Sequence, residues 1–514
     1  MPMKKRILSL LWAGLLTLSL TGCWEEEPDD LGGALIPENT TEEPLQEEET
    51  EVLLPLSFTL PYDPSQTLDP ITCADGIQQV VGSLLYEGLF QLDTQLEPQP
   101  CLCEHYAYDP ETFTYVFTLR SGVTFSDGTA LTAADAATSL QRAKSSQRYG
   151  ARLSQMVSVS GEGTTLTVVL SHANTGFTAL LDVPIVKSGT ESNLVPVGTG
   201  PYYYAQDDGG PCLLSNDGWW NGGGQPVERI GLSSAADRES MLYQFTSHDV
   251  QLITADLTGT SPISATGNVS YQDADTTILQ YLGINTTREP FNSPAVRRAL
   301  SQGVDRETLT SAFLSGHALA SQFPVSPVSS LYPEQLEQAY AYDTFAQALG
   351  EAVDSRTWNL TLLVNQENSF KVSAAEYLAQ TLSAAGVVIT IRTLPWEEYT
   401  AALTAGDFDL YYGEVKLTAD WDLRPLLATG GSLNYGGWAN ETTNSLLAAY
   451  VSASDREAAM EALCTHLQQQ VPLIPLCFKS TSVLMQAGVV EGLRPTMTNP
   501  FYDLSSCVIH LREG

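Results

Sequence analysis

Between residues 360 and 412 the hydrophobic rhythm switches repeatedly, and this alternation constrains the fold more than any other feature of the chain. Residues 360–364 read as a strand, 373–385 as a helix closed by Gly386, 387–391 as a strand, 396–404 as a helix and 408–412 as a strand. Strands that follow one another through a helix and short joins run in the same direction. The segment therefore predicts a parallel sheet covered by helices.

The first part of the chain has another texture. Residues 53–60 read as extended, and 77–89 place Val80, Val81, Leu84, Leu85 and Leu89 at helical spacing. Residues 114–119 alternate outward threonines with Tyr115, Phe117 and Leu119, and Asp127-Gly128 marks a turn. Thr132 with Asp135 forms a capping box that opens a helix over 133–142. Residues 156–160 and 164–170 flank Gly161-Glu162-Gly163 as a hairpin. Near the end, 455–470 read as a long helix and 473–478 as a strand after Pro472. Two lobes, each with its own sheet, follow from this contrast, and ligands favour the cleft between such lobes.

The 514 residues carry a net charge of −36, which repels phosphate backbones, so nucleic acid is not an expected partner. That length exceeds a single core and calls for two or three domains. A Gly-x-Ser-x-Gly elbow, a His-Glu-x-x-His pair and a phosphate-binding glycine loop are all absent from the sequence, and its histidines stand singly. No catalytic residue and no cofactor are expected. A surface hydrolase built on a distant carboxylate pair, or a ligand sensor, is the rival reading from another class. Cys101, Cys103 and His105 lack a second ligand pair at usable spacing, so no metal site is expected either.

The N-terminus places Lys4, Lys5 and Arg6 before an apolar run over 7–20, then Thr21-Gly22 against Cys23. Such a run is too short to cross a bilayer comfortably and describes a cleaved export signal over 1–22. Leu20-Thr21-Gly22-Cys23 resembles the lipobox of bacterial lipoproteins, which implies acyl chains on Cys23 and a membrane contact through that anchor. From Trp24 to Glu51 there are twelve Asp or Glu and no Lys or Arg, so 23–51 is expected to be a disordered acidic tether. With Cys23 lipidated, an odd number of cysteines remains, and few or no disulfides are expected.

Several segments of the body, in order, resemble the extracytoplasmic solute-binding proteins of peptide/nickel-type ABC importers, family 5. They are Leu68-Asp69-Pro70, Tyr86-Glu87-Gly88-Leu89, the run over 117–128 that ends Phe125-Ser126-Asp127-Gly128, and Gly198-Thr199-Gly200-Pro201-Tyr202. Asn216 with Trp219-Trp220, then Asn285, Pro290-Phe291, Val296-Arg297-Arg298-Ala299-Leu300 and Val304-Asp305-Arg306, continue the match. The resemblance implies an α/β, bilobal, periplasmic-binding-protein-like fold of type II, a hinged clamp with an extra inserted subdomain. It assigns 52–88, 196–279 and 478–514 to lobe I, 89–195 to the insert and 280–477 to lobe II. It also implies capture of a small solute, with short peptides the expected cargo, and delivery to an ABC permease and its ATPase at the outer face of the bacterial cytoplasmic membrane. A nickel chelate, an opine-like solute or an oligosaccharide are the alternatives, and a monomer is expected.

In peptide-binding members an Asp in a Trp-x-x-Asp-Tyr segment pairs with the ligand's α-amino group. The counterpart here is Asp420 in Thr418-Ala419-Asp420-Trp421, with Leu417 where the pattern has Trp and Lys416 beside it. Trp396 lies where the family carries a pocket-lining aromatic. Asn434, Tyr435 and Trp438 join an amide to two aromatics on a glycine-rich loop, which suits backbone and stacking contacts. Asp75 and Gly76 sit in the loop that approaches bound peptide backbone in relatives.

Overall fold

The computed structural model describes residues 54–73, 76–263, 268–353 and 356–513; the signal segment, Cys23, the tether and Asp75 lie outside the described residues. A seven-stranded sheet dominates the second lobe. Its strands run in the spatial order Leu252–Ala255, Leu473–Gln486, Val269–Ile284, Leu410–Lys416, Trp358–Asn365 and Val387–Leu394, with Ala318–Ala320 also on Leu473–Gln486. Trp358–Asn365 is parallel to both of its neighbours, as the alternating pattern predicts.

The crossover helices are Ser369–Leu382 and Trp396–Ala405. The first starts earlier than its apolar spacing indicates because the Asn368 side chain accepts from the Lys371 amide and caps it. The second ends at Gly406, whose φ of 66° is the left-handed stop that glycine supplies without strain. Successive side chains of Trp358–Asn365 serve different cores: Leu362 packs with Leu300 and Leu378, and Leu363 with Tyr399 and Leu447. A strand covered on both faces carries an unbroken apolar run, which is why the sequence alternates elements here rather than residues.

The first lobe is smaller. Thr59–Tyr62 runs parallel to Arg229–Ser234, which continues antiparallel to Gly210–Ser215 and Tyr202–Asp207. Inserted between these pieces is an antiparallel sheet of Cys103–Asp109, Thr114–Leu119, Thr165–Leu170 and Met156–Glu162, in that spatial order. Helix Ala133–Lys144 opens with the expected capping box of Thr132 and Asp135. The expected hairpin is present, and Gly163 takes its positive φ.

Two long strands join the lobes. Val269–Ile284 and Leu473–Gln486 pair antiparallel from Val269 with Gln486 to Gly283 with Leu473, and the register shifts between Asp275 and Ile278. At that break the Thr276 hydroxyl donates to the Lys479 carbonyl and the Thr277 hydroxyl to the Leu417 carbonyl, each at 2.6 Å. Val483 and Met485 pack in the first-lobe core, and Ile474 and Leu476 in the second-lobe core. Residues 279–280 and 477–478, where the sequence reading puts the crossings, lie inside these strands beside the break. The seven described cysteines are all free and buried, so no disulfide fastens the described residues.

Candidate functional site

Helix Gly76–Leu85 delivers Glu87 to the head of a cleft of 970 Å³ between the lobes. The Glu87 carboxylate accepts from the indole N–H of Trp219 at 3.0 Å, that of Trp220 at 2.9 Å and the Thr199 hydroxyl at 2.8 Å. Burial pushes its carboxyl above the usual glutamate range, while Trp220, Trp219, Thr199 and the Arg120 charge pull it back. Three of the sequence segments therefore meet at one carboxylate, which fixes the two indoles that line the cleft.

Gly198 and Gly200 serve the same junction by close approach. Neither has a positive φ among the described residues. A Cβ at Gly198 would stand 2.1 Å from the Leu85 carbonyl oxygen, and one at Gly200 2.5 Å from that of Leu84. The chain passes too near the end of helix Gly76–Leu85 for any side chain.

The opposite wall is the segment after strand Leu410–Lys416. Asp420 lies there, 3% exposed. Its Oδ2 accepts from Asn174 Nδ2 at 2.8 Å, and its Oδ1 from the Asp422 amide at 3.4 Å. Trp421 is buried at a φ of 54°, a backbone state a bulky residue avoids; the surrounding core holds it there, with Phe478 edge-on to its ring. The inserted subdomain reaches this wall elsewhere as well. Thr175 donates its amide to the Val451 carbonyl and its hydroxyl to that of Ala453, and Glu97 accepts from Ser329 and Ser330.

Charge in the cleft is mostly paired. Asp182 holds Arg152, Asp422 holds Arg424 at 2.7 Å, and Asp503 holds Arg494 at 3.5 Å. Asp93 is taken by the amides of Gln95 and Glu97. Arg424 also donates to His172 Nε2 at 3.0 Å, which requires a neutral imidazole. Burial first, and the Arg424 charge second, hold His172 below the ordinary histidine range, against Asp422 and Asp420. Among the described residues Arg148 bonds only neutral acceptors, the carbonyls of Pro70 and Cys73 and the Gln79 side chain. Lys416 lines the cleft with no hydrogen-bond or ion-pair partner among the described residues.

Of the residues singled out from sequence, Asp420 lines the cleft. Trp396 stands 57% exposed on its helix, stacked on Tyr399. Asn434 closes its own turn, with Nδ2 donating to the carbonyls of Ala428 and Trp438 and Oδ1 accepting from the Trp438 amide. Trp438 is buried beneath Arg297, whose guanidinium sits 5.2 Å from the ring centroid, and Tyr435 meets Tyr411 edge-on. Gly76 begins its helix and, like these four, is not among the cleft-lining residues. Arg148, Arg152, Asn174 and His172 went unmarked in the sequence. They sit in irregular stretches of the insert, where no periodicity tells which side chain faces inward.

Residues 97–432 match the profile of the bacterial extracellular solute-binding proteins, family 5 Middle. The chain is 24% identical over 444 residues to the glutathione-binding protein GsiB of Escherichia coli K12, spanning 80% of this chain and 86% of that one. The structure of HbpA2 from Haemophilus parasuis is similar with a TM-score of 0.74 at 20% identity, over 88% of this chain and 100% of that chain. That of the oligopeptide-binding protein AppA from Bacillus subtilis, in complex with a nonapeptide, gives 0.59 at 20% identity, over 90% and 100% respectively.

Proposed function

This chain belongs to the bacterial extracellular solute-binding proteins of family 5, and from that premise we propose that its cargo is a short peptide, held in the cleft between Glu87 and Asp420. As a substrate-binding component of an ABC transporter it captures solute outside the cytoplasm and hands it to a permease and ATPase. The observation that carries the peptide reading is the cleft itself. At 970 Å³ it stands at the upper end of the roughly 300–1,000 Å³ usual for small-molecule sites, and it mixes indole faces with fixed charges. Its lining suits a ligand with both an apolar body and ionised ends. The glutathione-binding relative and the nonapeptide-bound AppA point the same way.

Within this reading Asp420 faces the ligand's amino end, because its Oδ1 has a single long contact and keeps acceptor capacity. Residues 280–477 move against the rest about the break between Asp275 and Ile278, so that ligand contacts from both sides bias an open–closed equilibrium. Acyl chains on Cys23 hold the protein at the outer face of the membrane. Mass spectrometry of material released from the purified protein by denaturation tests the cargo. Short peptides are expected; a metal chelate or a sugar in their place would discard the peptide reading and keep the solute-binding one.

A further inference from the structure

We infer that Asn174 bolts the clamp shut: from the insert it holds the Asp420 carboxylate of the opposite wall, and so positions that carboxylate for the solute. The inference rests on the proposal that 280–477 closes against the rest, and not on the peptide nature of the cargo. Residues 172–176 of the insert form a short clasp on the second lobe. Arg424 donates to His172 at 3.0 Å, Asn174 Nδ2 donates to Asp420 Oδ2 at 2.8 Å, and the Thr175 hydroxyl donates to the Ala453 carbonyl at 2.7 Å. Gly176 lies so close to Arg456 that a Cβ there would stand 2.6 Å from the guanidinium carbon. Arg424 has Asp422 as its own ion pair, whereas Asp420 has no ion-pair partner among the described residues. The bond of the clasp that answers an unpaired charge is therefore that of Asn174, and such bonds are roughly twice as strong as neutral ones.

The donor is set in advance. The Gly176 amide donates to Asn174 Oδ1 at 2.9 Å and the Tyr115 hydroxyl to the Asn174 carbonyl at 2.8 Å, both from within the insert. With its oxygen taken, the side-chain amide presents its nitrogen across the cleft. The Asp420 backbone is held from its own side, where the Tyr450 hydroxyl and Arg456 both donate to its carbonyl. Shutting the cleft takes the Asp420 carboxylate out of water, and a buried charge left short of donors is costly. Asn174 satisfies Oδ2, but Oδ1 keeps only the 3.4 Å contact to the Asp422 amide. The protein thus supplies half of what closure needs at this group. A solute that brings a donor to Oδ1 completes it, and favours the shut form over the open one. That difference between the two forms is what a ligand-driven closure requires.

Small-angle X-ray scattering of the full chain, as purified and with a mixed tripeptide pool added, reads the balance of shut and open forms. Equilibrium dialysis reads how much of the pool each variant retains. Asn174→Ala is expected to lower the shut-to-open ratio about tenfold or more, seen as a larger radius of gyration and weaker retention. Asn174→Asp sets a like charge against Asp420 and is expected to open the clamp further. Combining Asn174→Asp with Asp420→Asn exchanges donor and acceptor across the same bond. That pair is expected to restore the parental radius, a recovery that a folding defect cannot produce. If the variants keep this order while the pool changes nothing, the peptide reading falls and the bolt stands. Single variants with parental scattering and parental retention, or an exchanged pair as open as Asn174→Asp alone, would overturn the inference.

Discussion

The Glu87 carboxylate and the Trp220 indole are joined by a 2.9 Å hydrogen bond, and the same carboxylate holds the neighbouring Trp219 at 3.0 Å. This buried carboxylate is thus kept in place by neutral donors, with Arg120 stacked over the Trp220 ring at 4.8 Å. The arrangement orders two aromatic faces at the head of the cleft before any ligand arrives.

Glu87→Ala leaves both indoles and the Thr199 hydroxyl without their acceptor and is expected to cost about 3 kcal/mol or more. Glu87→Gln keeps the shape and one acceptor oxygen but turns a donor amide nitrogen toward an indole N–H, so its cost is expected to be smaller than that of Ala but not absent. Urea unfolding followed by indole fluorescence separates the two, and equal losses would show that the charge and the second oxygen, not the shape, hold the indoles.

Gly198→Ala drives a methyl group to 2.1 Å from the Leu85 carbonyl, a backbone atom that cannot swing aside. A loss of about 1–3 kcal/mol is expected from that overlap. Gly128→Ala, where the added Cβ meets open space, serves as comparison: it is strained only through its φ of 82°. A smaller loss at Gly198 than at Gly128 would contradict the close-approach argument.

His172 accepts from Arg424 only while neutral. Because its folded pKa lies below the unfolded value of about 6.5, the native state binds fewer protons than the unfolded chain as pH falls through that region. Stability from this contact is present above that range and is lost on acidification. His172→Gln can still accept from Arg424 but does not titrate, so its stability curve is expected to lack this limb as pH falls below the unfolded histidine value of about 6.5. Superimposable curves would refute the assignment.

Asp127 acts at lower pH. The Lys187 ammonium, at 2.5 Å, and the Thr129 hydroxyl hold its pKa at about 2. The contribution is therefore complete above the unfolded carboxylate value of about 3.9 and disappears as pH falls toward 2. The pair is partly exposed, so salt weakens it. Asp127→Asn is expected to narrow its stability gap to the parent below pH of about 4, and to do so less at high salt. A gap that stays constant to pH of about 2 would rule the linkage out.

The elements of the second lobe were legible because a strand–helix–strand run admits few arrangements, and the capping box at Thr132 was legible because its two partners lie three residues apart. The site was less so. Asp420 came from a resemblance, and the side chain that occupies it, Asn174, is 246 residues away in the chain. Asn434 and Trp438 looked like ligand contacts for the same reason that they make a good turn: an amide that can bond a backbone will bond its own. Lys416 was visible beside the departure at Leu417, but only the structure shows that no carboxylate among the described residues pairs with it.

The place of strand Leu473–Gln486 between Leu252–Ala255 and Val269–Ile284 bears on the order in which the chain can assemble. Those two earlier strands do not touch each other; they wait for a segment made near the end of synthesis to come between them. Until it does, the seven-stranded sheet stays split and the first-lobe core lacks Val483 and Met485, so the apolar faces meant for this strand stay uncovered. Pairings of such sequence separation form slowly and late. A growing chain of this design completes neither lobe piecemeal, and reaches its native state only once nearly the whole polypeptide is free to fold.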